Sequence, residues 1–192
     1  MIVSTGQDLM HGERLRPLWR AEFDRLVALG CFEGERIELL RGALVEMSPT
    51  DPSHDQSVGA LNELLLVPLL GRATVRVQSS YAAADDSEPM PDIVVAPLGE
   101  YWSRHPDRAH LIVEVARTSL HKDRGLKAGI YAQAAIDEYW IVDIMGEHVE
   151  VLRQRTPDGW ASKQVAARGD VLCLVAFPDV QISVDRILPP RR

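Results

Sequence analysis

Cysteine is scarce in this sequence: Cys31 and Cys173 are the only two, far apart and without a C-x-x-C partner. They supply neither a disulfide framework nor a zinc knuckle, and both are expected to be buried apolar fillers. Long apolar runs are lacking too. No stretch approaches the roughly 20 residues of a membrane span, and the opening "MIVSTGQDLMHGERLRP" has no run of signal-peptide length. A soluble cytoplasmic protein without a membrane partner is the expectation. Also absent are a glycine-rich phosphate loop, an H-E-x-x-H helix and a Rossmann fingerprint, which argues against nucleotide-driven chemistry and a zinc protease. "SLHK" at Ser119 to Lys122 satisfies S-x-x-K, but its companion motifs and G-x-S-x-G are missing, and Ser119 reads better as a helix cap than as a nucleophile.

Positive charge is in deficit overall, with a net charge of -7. Non-specific adhesion to nucleic acid by the whole surface is therefore disfavoured, because it depends on Lys and Arg neutralising phosphates. One segment departs from the average. Between Arg104 and Lys127 stand six basic residues (Arg104, Arg108, Arg117, Lys122, Arg124, Lys127), three acids and three histidines. Such a segment suits a nucleic-acid site, although a solvated helix face and loop would read the same way.

What is present fits one α+β domain over residues 1–192, since this length buries one substantial core. Leu18, Trp19, Phe23, Leu26, Val27 and Leu29 share a helical face from Pro17 to the stop at Gly30. "RIELLRGALVEM" reads as a hairpin broken at Arg41-Gly42, closing an N-terminal helix-and-hairpin unit over about 17–47. Asp51 followed by Pro52 opens a second helix through about Leu70, which Pro68 kinks or ends. "ATVRVQSSYAA" alternates as a strand. "DIVVAP" and "HLIVEVA" are continuous apolar runs of the kind found in central strands, with "LGEYWSRHPDR" a loop between them. "SLHKDRGLKAGIYAQAAI" reads as a helix with Leu126, Ile130 and Tyr131 inward. "EYWIVDI", "HVEVLRQR" and "WASKQVA" complete the strands, and a frayed tail is expected from about 188 to 192.

Within "LIVEV", Glu114 is a carboxylate on a strand that should be buried, and a buried carboxylate needs a partner. It shares a face with Ile112 and Ala116, opposite Leu111, Val113 and Val115. Asp92 opens the neighbouring strand. Two such carboxylates repel unless something positive lies between them, either a hard divalent cation or a lysine. Helical spacing puts Asp123, Lys127 and Tyr131 on one stripe, from which Lys127 could reach the carboxylates. The alternatives are a surface ion pair for Asp123 with Lys127, a structural pair of Glu114 with Arg117 or Arg76, and a loop cap for Asp92.

Asp92 in "PMPDIVVAP", Glu114 in "LIVEV", then Asp123, Lys127, Tyr131 and "IDEYWIVD", preceded by Glu38, His54 and Gln78, together resemble the Uma-two family. That family belongs to the restriction-endonuclease-like PD-(D/E)XK superfamily. The resemblance runs from about Glu38 to Arg153 and implies a mixed β-sheet flanked by helices. It further implies a metal-dependent endonuclease acting on nucleic acid, with DNA the expected substrate, Mg²⁺ or Mn²⁺ the cofactor, and a homodimer compatible with cutting two strands. Asp92 and Glu114 would be metal ligands, Glu38 from the hairpin a further metal ligand or a water-positioning group, and Lys127 the catalytic lysine, with Lys122 second. Arg117, Lys122, Arg124, His54, Gln78 and Tyr131 would contact or frame the substrate. In the simplest superfamily pattern the lysine stands two residues after the glutamate, where this chain has Ala116, and "EVAR" replaces the family's usual "EVLS". A nuclease fold kept as a non-catalytic binding or regulatory module is the competing reading.

Overall fold

Every residue from Leu111 to Ala116 is buried in the computed structural model, and this run is the strand around which the rest is arranged. The structure describes residues 16–191. Residues 1–15, on which the expectation of a missing leader rests, and Arg192 lie outside them.

In chain order the elements are α1 (Arg20–Ala28), β1 (Ile37–Leu40), β2 (Ala43–Glu46), α2 (Pro52–Leu69), β3 (Ala73–Val77), β4 (Ile93–Pro97), β5 (Arg108–Ala109) and β6 (Leu111–Ala116). There follow α3 (Leu120–Lys122), a π-helical turn (Asp123–Lys127), α4 (Ala128–Gln133), β7 (Ala135–Ile136), β8 (Glu138–Asp143), β9 (His148–Thr156) and β10 (Gly159–Ala167). β11 (Val171–Cys173), β12 (Gln181–Ser183) and a 3-10 turn (Val184–Arg186) end the chain. Six strands form one mixed sheet in the order β10-β9-β8-β6-β4-β3. Only β6 and β8 run parallel there, with Glu114 beside Ile141. A parallel pair needs a crossover, and α3, the π turn and α4 provide it.

Alternation along β6 divides the core between two layers. Leu111, Val113 and Val115 pack with Leu61, Leu65 and Leu69 of α2. Ile112 and Ala116 face the other way, with Ile130 and Tyr131 of α4. The expected α+β class, a mixed sheet flanked by helices, is thus the observed one.

Local chemistry accounts for most boundaries. Arg41 and Gly42 both take positive φ, 51° and 77°, as a two-residue hairpin turn requires. Asp51 caps α2, its Oδ1 accepting from Ser53 N at 2.9 Å and His54 N at 3.4 Å. Pro68 falls in the last turn and the helix ends one residue later.

Several expectations need correction. α1 starts at Arg20 rather than Pro17, because Leu18 donates its N–H to Gly42 O on the hairpin at 2.9 Å. Of its apolar stripe only Phe23 is buried in the helix; Val27 and Leu29 are exposed. Ser119 does not cap the crossover helix by its side chain, which donates instead to Asp123 Oδ2 at 2.5 Å. Leu126 is 44% exposed, because Asp123 and Lys127 take the inward positions of the π turn. Cys31 is exposed and Cys173 half-buried, so neither is a core filler. Near the end of the chain, Ile187 and Leu188 are buried and Arg168 donates to Pro189 O. Strands β5, β7, β11 and β12, two or three residues each, are too short to leave a pattern in sequence. No helix of the described residues is long and apolar enough to cross a membrane.

Candidate functional site

The pairing of β4 with β6 runs from Val95 opposite Leu111 to Ile93 opposite Val113. Beyond it, the side chain of Asp92 takes over, with Oδ2 accepting the main-chain N–H of Val115 at 2.8 Å. The β4–β6 ladder ends at this point, with Asp92 just before the first residue of β4 and Glu114 on β6.

Each carboxylate is held from behind. His54, in the first turn of α2, puts Nε2 3.2 Å from Asp92 Oδ2 and Nδ1 3.3 Å from Asp55 Oδ1. The hydrogen bond to Asp92 is the main reason the imidazole titrates above its ordinary value, ahead of the opposing effect of burial. Gln78, at a positive φ of 44°, brings Nε2 to 3.5 Å from Asp92 Oδ1. Glu114 Oε1 accepts from Tyr131 OH at 2.7 Å and from Lys127 Nζ at 2.9 Å. Burial pushes Glu114 up to about 8 although Lys127 pulls it down, and the carboxylates of Asp123, Asp92 and Glu38 add to the rise.

Lys127 is fully buried and lies between two strands of different sheets: its Nζ is also 3.1 Å from Glu38 Oε2 on the hairpin. Burial disfavours the ammonium, but Glu114, Glu38 and Asp123 together outweigh it and hold Lys127 above its ordinary value. Glu38 Oε1 takes Lys122 Nζ at 2.8 Å. Burial alone would raise Glu38; the two lysines outweigh it and hold it low. The stripe of Asp123, Lys127 and Tyr131 expected from spacing is present, though the first two sit on a π turn, a distortion common at functional sites.

A cavity of about 360 Å³ opens over this cluster. Glu114, Asp92, Lys127 and Asp123 line it, with His54, Arg117 and Lys122 among the other lining residues. Arg117 pairs with Asp51 at 3.4 Å rather than with Glu114, and Arg76 lies over the Tyr101 ring. Tyr131 stands behind Glu114, and Gln78 behind Asp92, outside the lining. Arg124 also lies outside it, paired with Glu150 at 2.5 Å and Asp143 at 3.4 Å. Sequence reasoning missed Arg36 and Asp51, which line the cavity. Arg36 stands two residues before Glu38, a same-face spacing on a strand that pointed to it.

Among the described residues no group of three or more His, Cys, Asp or Glu side chains converges as a metal cage. Two carboxylates suffice for a Mg²⁺-like ion, which keeps several waters and shares substrate phosphate oxygens. The donor set fits. Among the described residues both hydrogen bonds of Glu114 end on Oε1, leaving Oε2, and Asp92 Oδ1 has only the long contact from Gln78. Glu38 differs, since both its oxygens already meet lysines.

No curated protein matches the chain in sequence. Among solved structures it is similar to one described as "a putative nuclease belonging to DUF820" from Anabaena variabilis, at 15% identity and a TM-score of 0.65, over 89% of this chain and 97% of that one. At that identity the likeness shows the fold. Residues 20–185 match the family Uma2, described as "Putative restriction endonuclease". Because that span contains the end of the β4–β6 ladder, the lysine turn and the hairpin alike, the chain belongs to the Uma2 family of restriction-endonuclease-like proteins.

Proposed function

We propose that this protein is a divalent-cation-dependent endonuclease that hydrolyses phosphodiester bonds, with DNA as substrate and Mg²⁺ or Mn²⁺ as cofactor. The observation that carries the reading is the buried ammonium of Lys127, 2.9 Å from Glu114, beside a second carboxylate at the end of the β4–β6 ladder. Asp92 and Glu114 would hold the cation. Bound there, it supplies water activated near neutral pH and neutralisation of charge on the phosphoryl oxygens.

The chain's own groups do the rest. Tyr131 and Lys127 fix the orientation of Glu114, and Val115 N–H with His54 fixes Asp92. Lys127 places a positive charge where negative charge grows in the transition state. Glu38 and Lys122 hold Lys127 in register: the glutamate bonds both lysines, so its role is to position the ammonium. Arg117 and Arg36 at the cavity wall suit backbone phosphates. Two copies acting together would cut both strands of a duplex.

Incubation of supercoiled plasmid, single-stranded DNA and RNA with the protein and Mg²⁺ or Mn²⁺ tests this. Cleavage of DNA that stops in EDTA is expected, with Asp92→Asn, Glu114→Gln and Lys127→Ala each slower by on the order of 10²-fold or more. Cleavage that persists in EDTA, or is unchanged in Asp92→Asn, overturns the reading.

A further inference from the structure

The strand that carries Glu38 has a second face. Alternation along β1 sends Glu38 toward the lysines and Ile37 to the opposite side. There a second cavity, of about 680 Å³, opens between α1, β1 and residues 101–105. Glu88 forms part of its wall, placed by main-chain pairing with Leu39 on β1, N to O 2.7 Å. The two cavities are thus back to back across one strand.

Glu88 is 4% exposed, yet no cation of the described residues comes nearer to it than His105 Nε2, 3.6 Å from Oε1. Burial holds that histidine below its ordinary value, so it is a poor counter-ion. The other neighbours of Glu88 include the carboxyl of Asp24 and the hydroxyl of Ser80. Ser80 and Asp24 hydrogen-bond it without neutralising it, and a carboxylate has about four acceptor sites, which leaves capacity for a ligand. Aromatic rings stand in the same wall, Phe23 and Phe32 with ring centroids 5.7 Å apart, and Tyr101 and Trp102, together with the acids Asp24, Glu33 and Glu35. Trp102 is 92% exposed at the mouth. Arg20 and Arg104 also line the cavity.

An acceptor pair at depth, aromatic rings around it and guanidinium groups nearby match the edge of a base, its face and a phosphate. Proteins read an unstacked base by hydrogen bonds to its edge and by aromatic stacking. We propose that this cavity receives an unstacked guanine of the nucleic-acid substrate, with Glu88 accepting from its two adjacent N–H donors and Trp102 stacking on its face. Guanine alone among the common bases offers a ring N–H beside an amino group, matching the two oxygens of one carboxylate. Adenine and cytosine place a ring acceptor beside the amino group, and uracil and thymine flank the N–H with carbonyls that a carboxylate repels. The inference rests on the nuclease reading for the source of the base.

The test is calorimetric titration of GMP, AMP, CMP and UMP into the protein in excess EDTA. GMP should bind saturably and at least about tenfold tighter than the others, a difference of about 1.4 kcal/mol. Binding should be lost in Glu88→Gln, weakened at least about fivefold in Trp102→Ala at one exposed side chain, and kept in Asp92→Asn. Absence of GMP binding to the folded wild type, equal binding of all four nucleotides, or indifference to both substitutions overturns the proposal. Where Glu88→Gln does not fold, Trp102→Ala decides. GMP binding by a protein that cuts nothing would sink the nuclease reading alone; cleavage without GMP binding would sink the guanine pocket alone.

Discussion

Lys127 Nζ lies 2.9 Å from Glu114 Oε1 and 3.1 Å from Glu38 Oε2, so one buried ammonium joins the central strand to the separate hairpin. This answers why a carboxylate stands in the middle of an apolar strand. It has a partner at hand, and an oxygen left over.

Removing that ammonium should be expensive. Lys127→Met leaves Glu114 and Glu38 facing each other in a dry site, with an expected loss of about 3–5 kcal/mol in urea unfolding. Lys122→Met breaks a bond from a half-exposed lysine and should lose only about 1 kcal/mol. Equal losses for the two would contradict the central placement of Lys127.

Gly42 should not accept a side chain. Its φ is 77°, and a Cβ there would lie 2.3 Å from Pro17 Cβ. Gly42→Ala is expected to cost about 1–2 kcal/mol from the backbone alone and more from the displaced Pro17. A variant as stable as the parent in urea would show that the hairpin does not need this turn.

Stability should depend on pH through Glu88. Burial, then Asp24, pushes it up to about 7 from an ordinary 4.5. Between those values the folded state holds more protons than the unfolded one, so the contribution of Glu88 to stability is greatest below about 4.5, falls as pH rises through 7, and levels off above. Glu88→Gln should flatten this part of the profile and gain on the parent at pH 8. Parallel profiles for the two proteins, measured by urea unfolding from pH 5 to 8, would contradict it.

Much of this was legible in the sequence because it is governed by local period. The face shared by Ile112, Glu114 and Ala116 follows from strand alternation, and the stripe of Asp123, Lys127 and Tyr131 from helical spacing. What escaped depends on contacts distant in the chain. The bonds of Glu38 to Lys122 and Lys127 cross from hairpin to crossover helix, and no periodicity encodes them. Arg124 looked like part of a basic site, yet it is drawn to Glu150 on β9 and Asp143 on β8. Of Leu126, Ile130 and Tyr131, read together as inward, the last two are buried, while Asp123 and Lys127 take the inward positions beside Leu126. The Glu88 cavity left no sequence signal, since its aromatic, acidic and basic walls come from separate segments.

The central claim is that Asp92 and Glu114 hold a divalent cation beside Lys127. Calorimetric titration of Mg²⁺ and Mn²⁺ into the wild type and the Asp92→Asn, Glu114→Gln double variant tests it most directly. One saturable site is expected in the wild type, and it is lost in a folded double variant. No binding to the folded wild type, or undiminished binding to the variant, would contradict it and leave Lys127 and Tyr131 as purely structural partners of Glu114.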